Sequence, residues 1–214
     1  MKILVVLCHP RTNSLTSQIA QSFSEGATKA GHQVEILDLY KENFDPVLRI
    51  EDEPNDGSLE NYSLEVQTEF ERLNNNDAVV MVFPLWWWSV PAMLKGWIDR
   101  VWNYGLMYGS NEHNVKKGLM IAVAGATKDQ LIKRDYEAAI NTSLNVGVLD
   151  YCGVEDSEIM ILKETNKITK EECLRYIKQA YDKGLSFEKC KFRLMCEGGC
   201  KILISQFFLI FFFN

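Results

Sequence analysis

Three short segments of this 214-residue chain carry the side chains best suited to chemistry. The first, His9-Pro10-Arg11-Thr12-Asn13-Ser14-Leu15-Thr16-Ser17, crowds imidazole, guanidinium, amide and hydroxyl groups into nine positions. Ahead of a helix, it would add His9, Arg11, Ser14, Thr16 and Ser17 to unpaired N–H donors and a positive dipole end, a combination suited to phosphate. Ordinary N-capping by Ser14 accounts for the segment equally well on its own. It contains neither G-x-G-x-x-G nor G-x-x-x-x-G-K-S/T, which disfavours a Rossmann-bound dinucleotide and a nucleoside triphosphate.

The second segment is Pro84-Leu85-Trp86-Trp87-Trp88-Ser89-Val90-Pro91, and all five tryptophans of the chain fall between Trp86 and Trp102. Three consecutive indoles are hard to bury together, because each ring N–H needs a partner. A flat conjugated ligand is their natural companion, with the loop amides reaching the edge of a heteroaromatic ring. Trp97 and Trp102 fit packing on the helix that follows. The third segment is Ala124-Gly125-Ala126-Thr127.

The elements that must position these segments are legible from periodicity. Residues 2–8 form an aliphatic run expected of a strand buried on both faces. Apolar positions at Leu15, Ile19, Ala20, Phe23, Ala27 and Ala30 make an amphipathic helix that Gly31 ends. A strand at Val34–Leu37 completes a βαβ unit. Residues 39–61, with three prolines and glycines and many carboxylates, read as a long loop. A helix near 62–73, a strand at 78–83 ended by Pro84, a helix capped by Ser89, a strand at 118–124 and a helix within 128–145 follow. A strand at 158–162 and a helix capped by Thr169, with Gly184 behind it, end the pattern. The alternation describes an α/β, doubly wound parallel sheet of five strands in the order 2-1-3-4-5. In such a sheet the ligand site lies beyond the carboxyl ends of the strands where their order reverses, and all three segments fall there.

Composition narrows the partners. Lys and Arg number 23 against 29 Asp and Glu, so most of the surface repels a phosphate backbone and nucleic acid is excluded as a partner. The start MKILVVLC reads as a first strand rather than a signal peptide, and no apolar run reaches a membrane span, so a cytoplasmic protein is expected. Six cysteines without metal-ligand spacing read as buried or free thiols, with no metal site. His32 and His113 are expected at the surface. Residues 186–214 are an apolar tail outside the core fold, whose last residues fit a helix packed on a partner, an interfacial anchor or, as favoured here, read-through from an altered reading frame. Residues 188–214 carry four basic and two acidic side chains, so the tail is not the source of the acidity.

The run Phe-Pro-Leu-Trp-Trp-Trp-Ser-Val-Pro-Ala-Met-Leu-Lys-Gly-Trp-Ile-Asp-Arg-Val at 83–101, with Tyr104-Gly105 and Tyr108-Gly109 behind it, resembles the signature of the flavodoxin-like NAD(P)H:quinone oxidoreductases. That group includes DT-diaphorase-like enzymes, drug-activity modulators and ancillary flavoproteins of potassium-efflux systems. The resemblance spans residues 1–185 and includes the His-Pro-Arg-x-x-Ser loop. It implies a bound FMN, or alternatively FAD, with His9 and Ser14–Ser17 at the phosphate and ribityl chain and Leu85–Trp88 along the isoalloxazine. It further implies hydride transfer from NADPH or NADH, a quinone-like acceptor walled by Trp88, Tyr104, Met107 and Tyr108, and a homodimer. Where the family commonly has Thr-Thr-Gly-Gly, this chain has Ala124-Gly125-Ala126-Thr127, which preserves backbone donors. Ile132 and Ala138 stand where many relatives have a Tyr and a His, and Tyr136 is near but unmatched, so no catalytic side chain is assigned. A redox-sensing subunit of a membrane transporter, using loop 39–61 as its contact surface, is the alternative.

Overall fold

Strand β1 (Lys2–Leu7) buries every residue after Lys2, and β3 (Ala78–Pro84) buries all seven of its residues, as β-branched and aliphatic runs in the middle of a parallel sheet should. In the computed structural model, which describes residues 1–53, 56–109 and 113–188, these strands lie at the centre of one five-stranded sheet. Strands β2 (Gln33–Asp38), β4 (Lys117–Val123) and β5 (Asp156–Leu162) complete the order β2-β1-β3-β4-β5, with parallel pairing between every neighbouring pair. The order expected from the sequence is the one observed.

The period-two alternation sorts side chains into two apolar layers. Ile3, Val5, Leu7, Val80, Val82, Leu119 and Ile121 face α1 (Leu15–Lys29) and α6 (Lys170–Leu185). These helices touch at glycines: a Cβ on Gly26 would lie 2.1 Å from the Tyr181 carbonyl oxygen, and one on Gly184 2.1 Å from that of Phe23. Gly184 therefore serves helix packing inside α6 rather than ending the helix. Leu4, Val6, Val79, Met81, Phe83, Met120 and Ala122 face the other layer, built with α2 (Leu64–Asn74) and α3 (Ala92–Val101).

Several local expectations are corrected. Pro91, not Ser89, occupies the N-cap of α3, because Ser89 is held in the preceding turn. The helix expected within 128–145 is broken into α4 (Lys128–Ile132), α5 (Tyr136–Ile140) and a π-helical stretch at Asn141–Asp150. His32 and His113 are buried, His113 bonding through Nε2 to the Cys152 carbonyl at 2.6 Å. Cys8 and Cys152 are buried thiols, pushed up to about 12 and about 11 by desolvation. Phe187, inside the segment read as tail, is buried edge-on to Phe23 with centroids 5.2 Å apart. The rest of the tail reading, with Cys190, Cys196 and Cys200, lies outside the described residues. No described helix is long and apolar enough to cross a membrane.

Candidate active site

The sheet reverses order between β1 and β3, and the three segments meet at that carboxyl edge. Cys8 N–H bonds the Val82 carbonyl at 3.0 Å, and Leu85 N–H bonds that of Val123 at 2.9 Å, so the loops leaving β1, β3 and β4 emerge side by side. His9 and Trp86 bring the first two into ring contact, with centroids 6.3 Å apart.

In the first loop Ser14 caps α1, its Oγ accepting from Ser17 N–H at 3.1 Å, and Ser17 Oγ donates to the Arg11 carbonyl at 3.1 Å. A helix start exposes four N–H groups. Ser14 and Ser17 satisfy two, and the N–H groups of Leu15 and Thr16 find no acceptor among the described residues. Arg11 is exposed and makes no ion pair among the described residues. His9 is buried and accepts from Arg11 N–H at Nδ1 (3.0 Å). That bond puts the proton of the neutral ring on Nε2, and burial pushes the imidazole below its usual 6.5. Thr16 is almost completely buried.

In the second segment, Trp86 and Ser89 exchange two hydrogen bonds, Trp86 N–H to Ser89 O at 3.1 Å and the reverse at 3.0 Å. The two residues between them, Trp87 at φ 51° and Trp88 at φ 63°, are both left-handed. This is the pattern of a type I′ turn, normally built from Asn and Gly. Two tryptophans there store backbone strain, which persists in native proteins mainly where function requires it. The Trp87 and Trp88 amides find no acceptor among the described residues. Trp87 is 94% exposed, whereas Trp88 stacks on Tyr136 with centroids 3.8 Å apart and planes 10° from parallel. Trp97 and Trp102 are core residues, as expected. Trp97 Nε1–H donates to Glu69 at 3.0 Å, and burial raises that carboxyl above the usual glutamate range.

In the third segment, the carbonyls of Ala124 and Ala126 accept from Thr165 and Glu164 N–H, at 3.0 and 2.9 Å. Asn166 packs against Gly125, where a Cβ would approach its Nδ2 to 2.2 Å. The Gly125 and Ala126 amides find no acceptor among the described residues, and Thr127 caps α4 through a capping box with Gln130. Pro84 and Ala124 are buried and form the floor of the edge.

Tyr104 and Tyr108 pair edge-on at 5.9 Å, and Tyr108 also touches Tyr151 at 5.7 Å. Among the described residues these rings make no ring-to-ring contact with the tryptophan turn. Met107 is 2% exposed and packs in the α2–α3 layer, so it cannot wall an open pocket as the sequence suggested. Tyr136 was not assigned from sequence. Its position is offset from the family pattern, and only the fold of residues 127–140 brings it over Trp88.

The donors collected at this edge fit a flavin phosphate and an acceptor-rich heteroaromatic edge: six unpaired amides, His9 Nε2–H and the Arg11 cation, with no carboxylate in residues 9–17, 84–89 or 124–127. A family model described as a flavodoxin-like fold matches residues 1–185. The chain is similar to the Escherichia coli NAD(P)H oxidoreductase YcaK, 41% identical over 174 residues that cover 80% of this chain and 88% of that one. The chain belongs to the flavodoxin-like NAD(P)H:quinone oxidoreductases. Within that family it is 28% identical over 179 residues to the rat NAD(P)H dehydrogenase (quinone) 1, covering 72% of this chain and 65% of that one. The NAD(P)H:quinone oxidoreductase from Methanothermobacter marburgensis superposes on it with a TM-score of 0.82 at 27% identity, covering 89% of this chain and 98% of the other.

Proposed function

We propose that this oxidoreductase binds FMN at the carboxyl edge of β1, β3 and β4, oxidises NADPH or NADH, and reduces a quinone; FAD is the alternative cofactor. The strained Trp86–Ser89 turn carries the reading. It holds two unpaired amides and an exposed indole beside a loop of phosphate donors, at the one edge where strand order reverses. When bound, the flavin supplies hydride acceptance from the nicotinamide and two-electron delivery to the acceptor.

The chain's own residues then divide the work. Leu15 and Thr16 N–H, the dipole of the 15-residue α1, Arg11 and His9 Nε2–H hold the phosphate. Ser14 and Ser17 keep that loop in shape through their mutual bond at 2.8 Å. The Trp87, Trp88, Gly125 and Ala126 amides orient the heteroaromatic edge. Leu85, Trp86 and the Trp88–Tyr136 stack exclude water from its faces. Tyr104 and Tyr108 serve as acceptor walls. The exposed apolar side chains of Val47, Leu48, Ile50 and Trp87 support a homodimer.

Release of the cofactor by heat or acid, followed by chromatography against FMN and FAD standards, tests the reading. One FMN per chain is expected. A colourless protein that takes up neither flavin on reconstitution refutes it.

A further inference from the structure

Loop 39–61, read from its composition as a long loop, is tied to the core by a buried ion pair. Asp52 is completely buried, and its carboxylate takes Arg100 Nε–H at 2.8 Å, Arg100 Nη2 at 2.7 Å and Ser63 N–H at 3.0 Å. Arg100, 3% exposed at the end of α3, also donates to the Asp45 carbonyl at 2.6 Å, pairs with Glu65 and lies over the Phe44 ring at 5.2 Å. Burial works to raise the Asp52 pKa, but Ser63 and Arg100 outweigh it and hold the carboxyl below its ordinary range. Pro46 closes on Gly96 so tightly that a Cβ there would meet the Pro46 carbonyl oxygen at 2.1 Å. Residues 44–53 and 56–62 thus form a strap locked across α3.

The strap reaches the tyrosine wall by three routes. Asn103 Nδ2–H donates to the Asp52 carbonyl at 2.7 Å while Asn103 Oδ1 accepts from Tyr104 N–H at 2.8 Å. Tyr62 O–H donates to the Tyr104 carbonyl at 2.7 Å. Gly57 and Gly105, at φ 80° and 73°, touch backbone to backbone, and a Cβ on Gly105 would lie 2.2 Å from the Gly57 oxygen. Both polar groups of the Tyr104 peptide are therefore held by residues 62 and 103, and the latter is itself tied to the buried ion pair.

We propose that Tyr62 and Asn103 are positioning residues for the electron acceptor, fixing the Tyr104–Tyr108 wall through a strap that Asp52 and Arg100 lock to α3. This rests on the reading that those tyrosines face the acceptor, in the same copy or in a second one. Neither residue touches substrate, so their effect belongs in the affinity for a bulky quinone rather than in the chemical step.

The test compares wild type with Tyr62→Phe, which deletes one hydroxyl and leaves no cavity, and with Asn103→Ala, using menadione as acceptor. Tyr62→Phe is expected to raise KM for menadione about fivefold, the weight of one ordering hydrogen bond, and Asn103→Ala, which removes two, by at least as much. In both, kcat and bound flavin are held while Tm falls by a few degrees, because each leaves a polar partner unpaired. A fall in kcat and Tm with KM unchanged means a purely structural role and overturns the proposal, as does an unchanged KM in both variants. Amide hydrogen exchange on the flavin-free chain supplies a readout independent of turnover, and faster exchange confined to residues 103–108 is expected. If wild type neither holds flavin nor oxidises NAD(P)H, the functional reading fails; the positioning claim is then judged on exchange alone, and unchanged exchange overturns it.

Discussion

Substituting Trp87 tests whether the tryptophan turn is strained for a ligand. A left-handed backbone costs an ordinary L residue about 1–2 kcal/mol, and Trp87 sits at φ 51°. Its indole is 94% exposed, so truncation gives up almost no buried apolar area. Trp87→Gly removes the strain and adds about 0.5–1 kcal/mol of chain entropy to the unfolded state. The net expectation is a stabilisation of about 0.5–1 kcal/mol, or about 1–4 °C in Tm for a domain of this size. Trp88→Gly relieves the same kind of strain but loses the Tyr136 stack, worth about 0.5–1.5 kcal/mol beyond its area, and gains nothing. Thermal unfolding of flavin-free protein by circular dichroism, with a fluorescence titration of FMN beside it, reads both quantities. Trp87→Gly should melt later and bind FMN more weakly. A Tm several degrees lower, or FMN affinity equal to wild type, would show that the turn is not held under strain for the cofactor.

Other perturbations probe the remaining parts of the site. Ser14→Ala removes the α1 cap and is expected to cost about 1 kcal/mol in chemical denaturation while weakening FMN binding. Gly105→Ala places a side chain at φ 73° against the Gly57 carbonyl and should destabilise by at least about 2 kcal/mol, seen as a lower denaturation midpoint. His9 titrates below 6.5 in the fold, so as pH falls through 6.5 the unfolded chain takes up the proton first and stability declines until the folded ring is also protonated. His9→Gln should remove that component of the pH dependence, and an NMR titration that puts the His9 midpoint above 6.5 would contradict it.

Local pattern made most of this architecture readable, and long-range pairing hid the rest. The aliphatic runs of β1, β3 and β4 and the three- and four-residue spacing of α1 specify buried strands and an amphipathic helix without tertiary information. The split of the tryptophans into a turn and a core pair followed from Trp97 falling on the apolar stripe of the helix behind Pro91, with Trp102 just past its end. The turn itself was invisible, since type I′ geometry is normally announced by Asn or Gly and here carries Trp87 and Trp88. Loop 39–61 gave no sign of its anchor, because Asp52 and Arg100 are 48 residues apart and no local window can pair them. His32 and His113 were misplaced for a related reason: a lone histidine between polar neighbours gives no sign that the fold will cover it. Tyr136 depends on the path of residues 127–135, whose left-handed Asp135 sets where α5 begins.

The central claim is that donors at this sheet edge hold a flavin for two-electron traffic between a nicotinamide and a quinone. Anaerobic stopped-flow absorbance of the purified protein tests it most directly. The account predicts the visible absorption of a bound oxidised flavin, bleached by NADPH or NADH and restored on mixing with menadione. A flavin that stays oxidised through both additions, or a protein that carries none, would contradict it.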